Sequence, residues 1–105
     1  MRVEVDDFVE YRSNTLRGFF TVYFPEGGFG ISGFSLHENE LGGRWVEFPS
    51  KPNKNGEYEK VITAYDSRRA KKFKEQLLKL LDEHRLDRDS QAEKNSDPGA
   101  DSQEQ

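Results

Sequence analysis

The chain has no cysteine among its 105 residues. That absence excludes disulfide bonds, thiolate nucleophiles and zinc sites with cysteine ligands, and it is compatible with a reducing compartment. Long apolar runs are also missing, because no run approaches the roughly 18 residues that a membrane-spanning helix needs. In the first residues, MRVEVDDF, acids interrupt the apolar stretch that a signal peptide requires. We therefore predict a soluble, cytoplasmic protein with no membrane partner.

Charge and apolar residues are unevenly distributed along the chain. Residues 82–105 hold eight acidic and three basic residues, a net charge of −5, whereas residues 1–81 contribute +1 to the whole-chain charge of −4. After Leu86 the only apolar residues are two alanines, too few to offset the entropy of ordering that segment. We predict one α+β domain over residues 1–85 and a disordered acidic tail over residues 86–105.

Apolar and polar residues alternate with the period of two that is typical of half-buried strands. The clearest strand is Leu16 to Phe24, and Pro25-Glu26-Gly27-Gly28 predicts a hairpin turn after it. Further strands are predicted at residues 3–11, with an irregularity at Asp6-Asp7, and at residues 29–37, 44–48 and 58–64.

For two of these strands the sequence gives more detailed predictions. Strict alternation in residues 29–37 places Ile31 and His37 on one face and Phe34 on the other, and the glycines of this strand indicate a bulge or a close backbone approach. Residues 50–56 are predicted to be a loop, ending in the hairpin dipeptide Asn55-Gly56, so that residues 58–64 pair back as a further strand.

From residue 66 onward the period becomes helical. Asp66 or Ser67 is suited to the N-cap, because a short side-chain oxygen there accepts a hydrogen bond from a free backbone N–H. One stripe runs along the helix and comprises Ala70, Phe73, Leu77, Leu80, Leu81 and His84. The sequence therefore predicts an antiparallel sheet of four or five strands in a meander, packed by one C-terminal amphipathic helix.

The helix is strongly basic. Residues 68–79 hold six bases against the single acid Glu75. Such density suits phosphate binding by counterion release, although a solvated helix face has the same composition. Arg68 and Arg69 also oppose the helix macrodipole, a conflict that a bound anion would relieve. The candidate nucleic-acid site comprises Arg68, Arg69, Lys71, Lys72 and Lys51.

Lys51 and Lys54 belong to the predicted loop, which could flank the start of the helix together with Arg44, although an ordinary exposed loop lysine is the simpler explanation of Lys51. Five aromatic residues could form a stacking platform for bases, or instead belong to the core or to a dimer interface: Phe19, Tyr23, Phe34, Trp45 and Tyr58.

No catalytic constellation is recognisable in the sequence. His37-Glu38 lacks the second histidine of HExxH, Ser50 is in no nucleophile-elbow context, and the glycines of residues 27–33 do not spell GxGxxG before a helix. We predict a protein that is not an enzyme and that has no cofactor and no metal site.

The chain contains the blocks LRGFFTVYF, GFGISGFSLHE and GGRWVEFPSKPNKNGEYEKVI before its basic helix. The most specific part is Pro49-Ser50-Lys51, which closes an aromatic strand and precedes a polar loop ending in Asn55-Gly56-Glu57-Tyr58. Together these residues resemble the SpoVG (stage V sporulation protein G) family over about residues 14–81, most closely a divergent branch common in phages and prophages.

The resemblance implies a regulatory protein that binds DNA and RNA with little sequence specificity and forms a homodimer through its sheet. It also implies nucleic-acid contacts at the matching positions Arg69, Lys71 and Lys72. The chain departs from the sporulation members at Trp45, in the glycine-rich residues 30–33 and in its acidic tail. The alternative function is a protein-interaction module whose exposed aromatics and strand edges bind a partner by strand addition.

Overall fold

The computed structural model of the protein describes residues 1–84, so the predicted acidic tail over residues 86–105 lies outside the described residues. The chain forms six strands and one helix: β1 (Glu4–Ser13), β2 (Leu16–Phe24), β3 (Phe29–Glu38), β4 (Arg44–Glu47), β5 (Ser50–Pro52), β6 (Tyr58–Lys60) and α1 (Ser67–His84). Strands β1 to β4 form one antiparallel sheet in chain order, and β5 and β6 form a separate two-stranded sheet. The predicted α+β fold is confirmed.

The β2–β3 hairpin forms where the sequence predicted it. The N–H groups of Gly27 and Gly28 both donate to the carbonyl of Phe24, at 3.0 and 2.9 Å, and Gly28 has a φ of 75°. In β2 the alternation predicted from sequence holds, because Phe20 and Val22 are buried while Thr21 between them is more exposed. Period-two patterning therefore sets which face of β2 enters the core.

Two irregularities change the faces of the neighbouring strands. In β1 the register shifts between Asp6 and Val9, at the predicted irregularity, and Asp7 has a φ of 58°. In β3 the register shifts so that Phe34 pairs with Phe20 while Ile31 pairs with Val22. The strict alternation predicted for β3 is therefore wrong, since the bulge places Ile31 and Phe34 on the same face.

The second sheet also differs from the sequence prediction. Ser50–Pro52, predicted to be a loop, is strand β5, and only Tyr58–Lys60 of the predicted strand 58–64 pairs as β6. Strand β6 pairs with β5 rather than with the four-stranded sheet, because β4 ends at Glu47 and the chain leaves the main sheet at Phe48-Pro49. The N–H of Val61 donates to the carbonyl of Pro49 at 3.3 Å and ties the β5–β6 hairpin to the end of β4.

Helix α1 begins after Asp66, which is the N-cap, because its side-chain oxygen accepts a hydrogen bond from the N–H of Arg69 at 3.1 Å. Leu77 and Leu81 are fully buried against the sheet, whereas His84, predicted to lie in the apolar stripe, is exposed. Leu78, which the predicted stripe did not include, is half-buried beside the core. Compared with the orientation predicted from the stripe, the helix therefore turns its Leu78 side slightly more toward the sheet.

The core lies between α1 and one face of the four-stranded sheet. Its fully buried large side chains are Phe20, Val22, Phe34, Leu36, Leu77 and Leu81. Burial of such side chains stabilises the fold by about 1.5–3 kcal/mol each. The opposite face of the sheet has no helix over it, and we call these two sides the covered face and the open face. The helix found within residues 1–84 is not long and apolar enough to span a membrane.

Candidate nucleic-acid interface

Four of the predicted site residues lie on the first two turns of α1. Arg68, Arg69, Lys71 and Lys72 are all exposed, and together they form what we call the basic surface. They lie on the solvent side because Leu77 and Leu81 direct the other side of the helix into the core. The amphipathic pattern of α1 therefore brings these four cations together on one accessible surface.

The local charges of the basic surface are only partly balanced. The guanidinium of Arg69 lies 3.5 Å from the carboxylate of Asp66, and its side chain stays 88% exposed. Asp66 also places a negative charge at the helix N-terminus, which offsets part of the predicted conflict with the macrodipole. Within residues 1–84 the structure gives no ion pair to Arg68, Lys71 or Lys72. Three of the four cations are therefore available to an anionic ligand.

Lys74 is separated from the basic surface by its contacts. Its Nζ lies 5.4 Å from the centre of the Phe48 ring and 3.8 Å from a carboxylate oxygen of Glu47. A lysine over an aromatic face and beside an acid is partly neutralised and partly desolvated. Lys74 therefore contributes to packing at the edge of the sheet, although its place in the basic segment gave no sign of this.

Lys51 lies on the β5–β6 hairpin rather than on the helix. It pairs with Glu59 in the register of the two strands and lines a shallow cavity with Lys54. None of the four cations of the basic surface lines that cavity. Lys51 is exposed, as the site prediction requires, but a directly opposed acid reduces its local positive potential.

Arg44 lies elsewhere than expected. Its guanidinium contacts the carboxylate of Asp82 and lies 4.0 Å from that of Glu38. Asp82 is near the C-terminal end of α1, so Arg44 does not flank the helix start as the sequence suggested. Arg44 lines a cleft of about 240 Å³ between β4 and α1, where Lys71 also lies.

The open face carries most of the exposed apolar surface of the sheet. Val9 and Tyr11 are 62% and 59% exposed, and Phe19 and Tyr23 are 39% and 38% exposed. Val9 pairs with Phe19, and the Tyr11 and Phe19 rings lie 6.2 Å apart. Val9, Tyr11 and Phe19 therefore form one exposed patch across β1 and β2.

The five aromatics predicted for a stacking platform do not form one surface. Phe34 is fully buried on the covered face, where its ring lies 5.8 Å from that of Phe20. Phe19 and Tyr23 lie on the open face, and Tyr58 is exposed on the β5–β6 hairpin. Trp45 is half-buried and stacks on the ring of His37. A single platform containing all five is therefore wrong.

His37 is held on the open face by its neighbours. Its Nδ1 and Nε2 lie 3.0 Å from the hydroxyls of Thr15 and Ser35 respectively, and its ring stacks on Trp45 at 5.4 Å. Partial burial lowers the pKa of His37, and the charge of Arg17 acts in the same direction while that of Glu47 opposes it. Sequence analysis noted only the missing metal partners of His37, although Ser35 and His37 at a spacing of two on one strand could have indicated this contact.

The outer edge of the sheet is acidic. Strand β1 holds Glu4, Asp6, Asp7 and Glu10, and the carboxylate of Asp7 accepts a hydrogen bond from the hydroxyl of Tyr23. That hydrogen bond is the main cause that raises the pKa of Tyr23. Acidic charge therefore lies along β1 and basic charge along α1, and a polyanion is attracted to the helix and repelled from the edge of the sheet.

No group of three or more histidine, aspartate or glutamate side chains suited to a metal ion occurs in the part of the chain that the structure describes. The chain matches no protein-family model, no curated protein and no solved structure. Its function is therefore proposed from the surfaces described above.

Proposed function

We propose that this protein binds nucleic acid through the basic surface, with little sequence specificity, and acts as a regulatory or accessory protein rather than an enzyme. The observation that carries the proposal is the exposure of Arg68, Lys71 and Lys72 without ion pairs among the described residues. Exposed cations on one helix face neutralise phosphates and release counterions, without reading bases. We include Lys51, on the β5–β6 hairpin, in the proposal as a separate and weaker phosphate contact.

The family and the assembly belong to the same proposal. The Pro49-Ser50-Lys51 block and the Asn55-Gly56 turn resemble the SpoVG-like family, and we propose that the chain is a divergent, phage-type member acting in the cytoplasm. The exposed side chains of Val9 and Tyr11 on β1 support a homodimer formed through the sheet. Sedimentation of a monomer at tens of micromolar would count against that dimer.

Salt dependence tests the nucleic-acid contact directly. Fluorescence anisotropy with labelled single-stranded DNA, duplex DNA and RNA should show affinity that falls steeply as salt rises. Reversal of Arg68, Lys71 and Lys72 to glutamate should lower the log–log slope by roughly 2–3, because each lost phosphate contact removes about 0.7–0.9. Acids at a helix N-terminus favour the macrodipole, so this variant is expected to keep its helix, which circular dichroism would verify.

A control variant separates the basic surface from net charge. Reversal of Arg2 and Arg12 to glutamate changes the charge at exposed positions outside α1 and the β5–β6 hairpin. It is compared with the double reversal of Lys71 and Lys72, which makes the same change in charge. We expect the control to retain most of the affinity. An equal loss in both variants, or no binding by the unchanged protein at low salt, would reject the basic surface as the contact. Lys51→Glu alone should lower the slope by about 1 or less.

The second candidate function is a protein-interaction module, which the exposed apolar patch on the open face favours. Such a module would bind its partner through Val9, Tyr11 and Phe19 or through the edge of β1. Its affinity would change little with salt, because apolar contacts are not screened. If the protein binds no nucleic acid at low salt and is a stable monomer, the second function is favoured.

A further inference from the structure

A cleft lies between the open face of the sheet and the β5–β6 hairpin. Its volume is about 550 Å³, within the range of small-ligand sites. The sheet contributes Phe19, Ser35 and His37, and the hairpin contributes Tyr58 and Lys60. This cleft is separate from the basic surface, because none of Arg68, Arg69, Lys71 or Lys72 lines it.

The hairpin wall is built by a period of two that continues beyond β6. Tyr58, Lys60, Ile62 and Ala64 all line the cleft, although the paired strand ends at Lys60. The hydrogen bond from Val61 to the carbonyl of Pro49 attaches this wall to the end of β4. The cleft is thus bounded by two anchored walls, and the hairpin is not a free arm.

The walls combine flat apolar groups with hydrogen-bonding groups. Phe19 and Tyr58 offer exposed rings, at 39% and 76% exposure. The cleft is also lined by Ser35, whose hydroxyl contacts Nε2 of His37 at 3.0 Å, and by Glu47, whose carboxylate lies 3.8 Å from Nζ of Lys74. A ligand in this cleft meets aromatic faces together with donors and acceptors, and it meets the cation of Lys60 on the hairpin side.

That combination selects a ligand class. A nucleobase has an apolar face that stacks on aromatic rings and a polar edge that forms hydrogen bonds, and its phosphate carries negative charge. A purely apolar ligand would form no hydrogen bonds with Ser35, Glu47 or Lys60, and a purely anionic ligand would not use the rings. We propose that the cleft binds one unstacked base of a single-stranded nucleic acid, with Phe19 and Tyr58 contacting the base and Lys60 contacting a phosphate.

This inference rests on the proposed function, since it names the form of nucleic acid that the protein prefers. Bases in a duplex are stacked and paired, so the cleft would add affinity for single strands only. Tyr58→Ala should weaken binding of a single-stranded oligonucleotide roughly 5- to 150-fold, the usual loss for one stacking contact. Duplex affinity should stay unchanged, and Tyr58→Phe should restore single-strand binding.

Tyr65→Ala is the matched control. Tyr65 is 95% exposed and does not line the cleft, so its removal should change neither affinity. Because Tyr58 is itself mostly exposed, Tyr58→Ala is expected to fold, and a urea denaturation curve would verify this. Lys60→Ala should lower the single-strand salt slope by about 0.7, the value for one phosphate contact.

A mononucleotide gives a measurement that does not depend on the basic surface. The single tryptophan, Trp45, stacks on His37, which lines the cleft, so occupation of the cleft should change the fluorescence of the protein. The change should saturate with nucleoside monophosphate and should be lost in Tyr58→Ala. Loss in the variant and retention in Tyr65→Ala would support the site.

The two proposals fail in different ways. Salt-dependent binding that Tyr58→Ala leaves intact for single strands, with no fluorescence change on adding nucleotide, would overturn the cleft and leave the basic surface standing. A fluorescence change that depends on Tyr58, together with single-strand affinity that reversal of Arg68, Lys71 and Lys72 leaves intact, would overturn the basic surface and support the cleft. A change in sedimentation, but not in nucleotide binding, on Tyr58→Ala would assign the cleft to contact between two copies and overturn the inference.

Discussion

The two faces of the four-stranded sheet carry similar aromatic residues that differ in their exposure to solvent. On the covered face Phe20 and Phe34 are 1% and 0% exposed, and α1 seals them from water. On the open face Phe19 and Tyr11 are 39% and 59% exposed, although they belong to the same strands or their neighbours. Residue type therefore does not decide which aromatics stabilise this fold and which remain available to a ligand. Position relative to the helix decides it.

Adjacent phenylalanines give the sharpest test of this difference. Phe20→Ala should lower the free energy of unfolding by about 3–5 kcal/mol, because it removes a fully buried ring and leaves a cavity. Phe19→Ala, one residue earlier on β2, should cost less, because its ring is partly in water in the folded protein. Urea denaturation measures both values. Equal losses would show that the open face is buried in solution, as it would be in a stable dimer.

Two glycines extend the comparison to the backbone. A Cβ added at Gly18 would lie 2.6 Å from the carbonyl oxygen of Val9 and 2.5 Å from the Phe8 ring. Gly18→Ala should therefore cost about 1–3 kcal/mol of unfolding free energy, since the backbone contact cannot move aside cheaply. At Gly30 the added atom would lie 2.7 Å from the exposed Tyr23 ring, which can turn into solvent.

We expect Gly30→Ala to be the milder of these two substitutions. Thermal and urea unfolding curves would rank them. The reverse order would mean that the Tyr23 ring, held by its hydrogen bond to Asp7, is as rigid as the covered face.

The smallest expected effect is a dependence of stability on pH at His37. The folded pKa of His37 lies below the ordinary value of 6.5, so below that pH the unfolded chain binds more protons than the folded one. The stability that neutral His37 contributes is present above pH 6.5 and is lost as the pH falls. Glu47 and Arg17 face the same ring and act in opposite directions.

Substitution of His37 by glutamine isolates this contribution from the titration of the carboxylates. The slope of unfolding free energy against pH, measured by urea denaturation on the acid side of neutrality, should be shallower in His37→Gln than in the unchanged protein. Identical slopes would mean that His37 is as well solvated in the fold as in the unfolded chain.

Local patterns predicted those parts of the fold that depend on neighbours in sequence. The alternation in β2, the turn at Gly27-Gly28 and the N-cap at Asp66 each follow from a few adjacent residues. The position of the β3 bulge did not, because several glycines could have taken the left-handed conformation that Gly33 adopts at a φ of 95°. A shift by one residue there reversed the face of Ile31.

The candidate sites divide in the same way. Exposure of the basic surface follows from the helical period alone, so the sequence predicted it. The contacts of Lys74 with Phe48 and of Arg44 with Asp82 join residues far apart in the chain, and no local sequence pattern predicts them. The cleft likewise depends on the β5–β6 hairpin folding away from the main sheet. Candidate surfaces made of one element were therefore predictable, and those between elements were not.

The strand order also has a consequence for how the chain reaches this structure. Each strand of the main sheet pairs with the next one along the chain, so the sheet can form through short turns with a small loss of loop entropy. Helix α1 closes the longest loop, and the side chain of Gln76 donates to the carbonyl of Met1 at 2.9 Å. We expect the meander to assemble first and the helix to dock late, so that substitutions at Leu77 mainly accelerate unfolding while substitutions in the β2–β3 hairpin mainly slow folding.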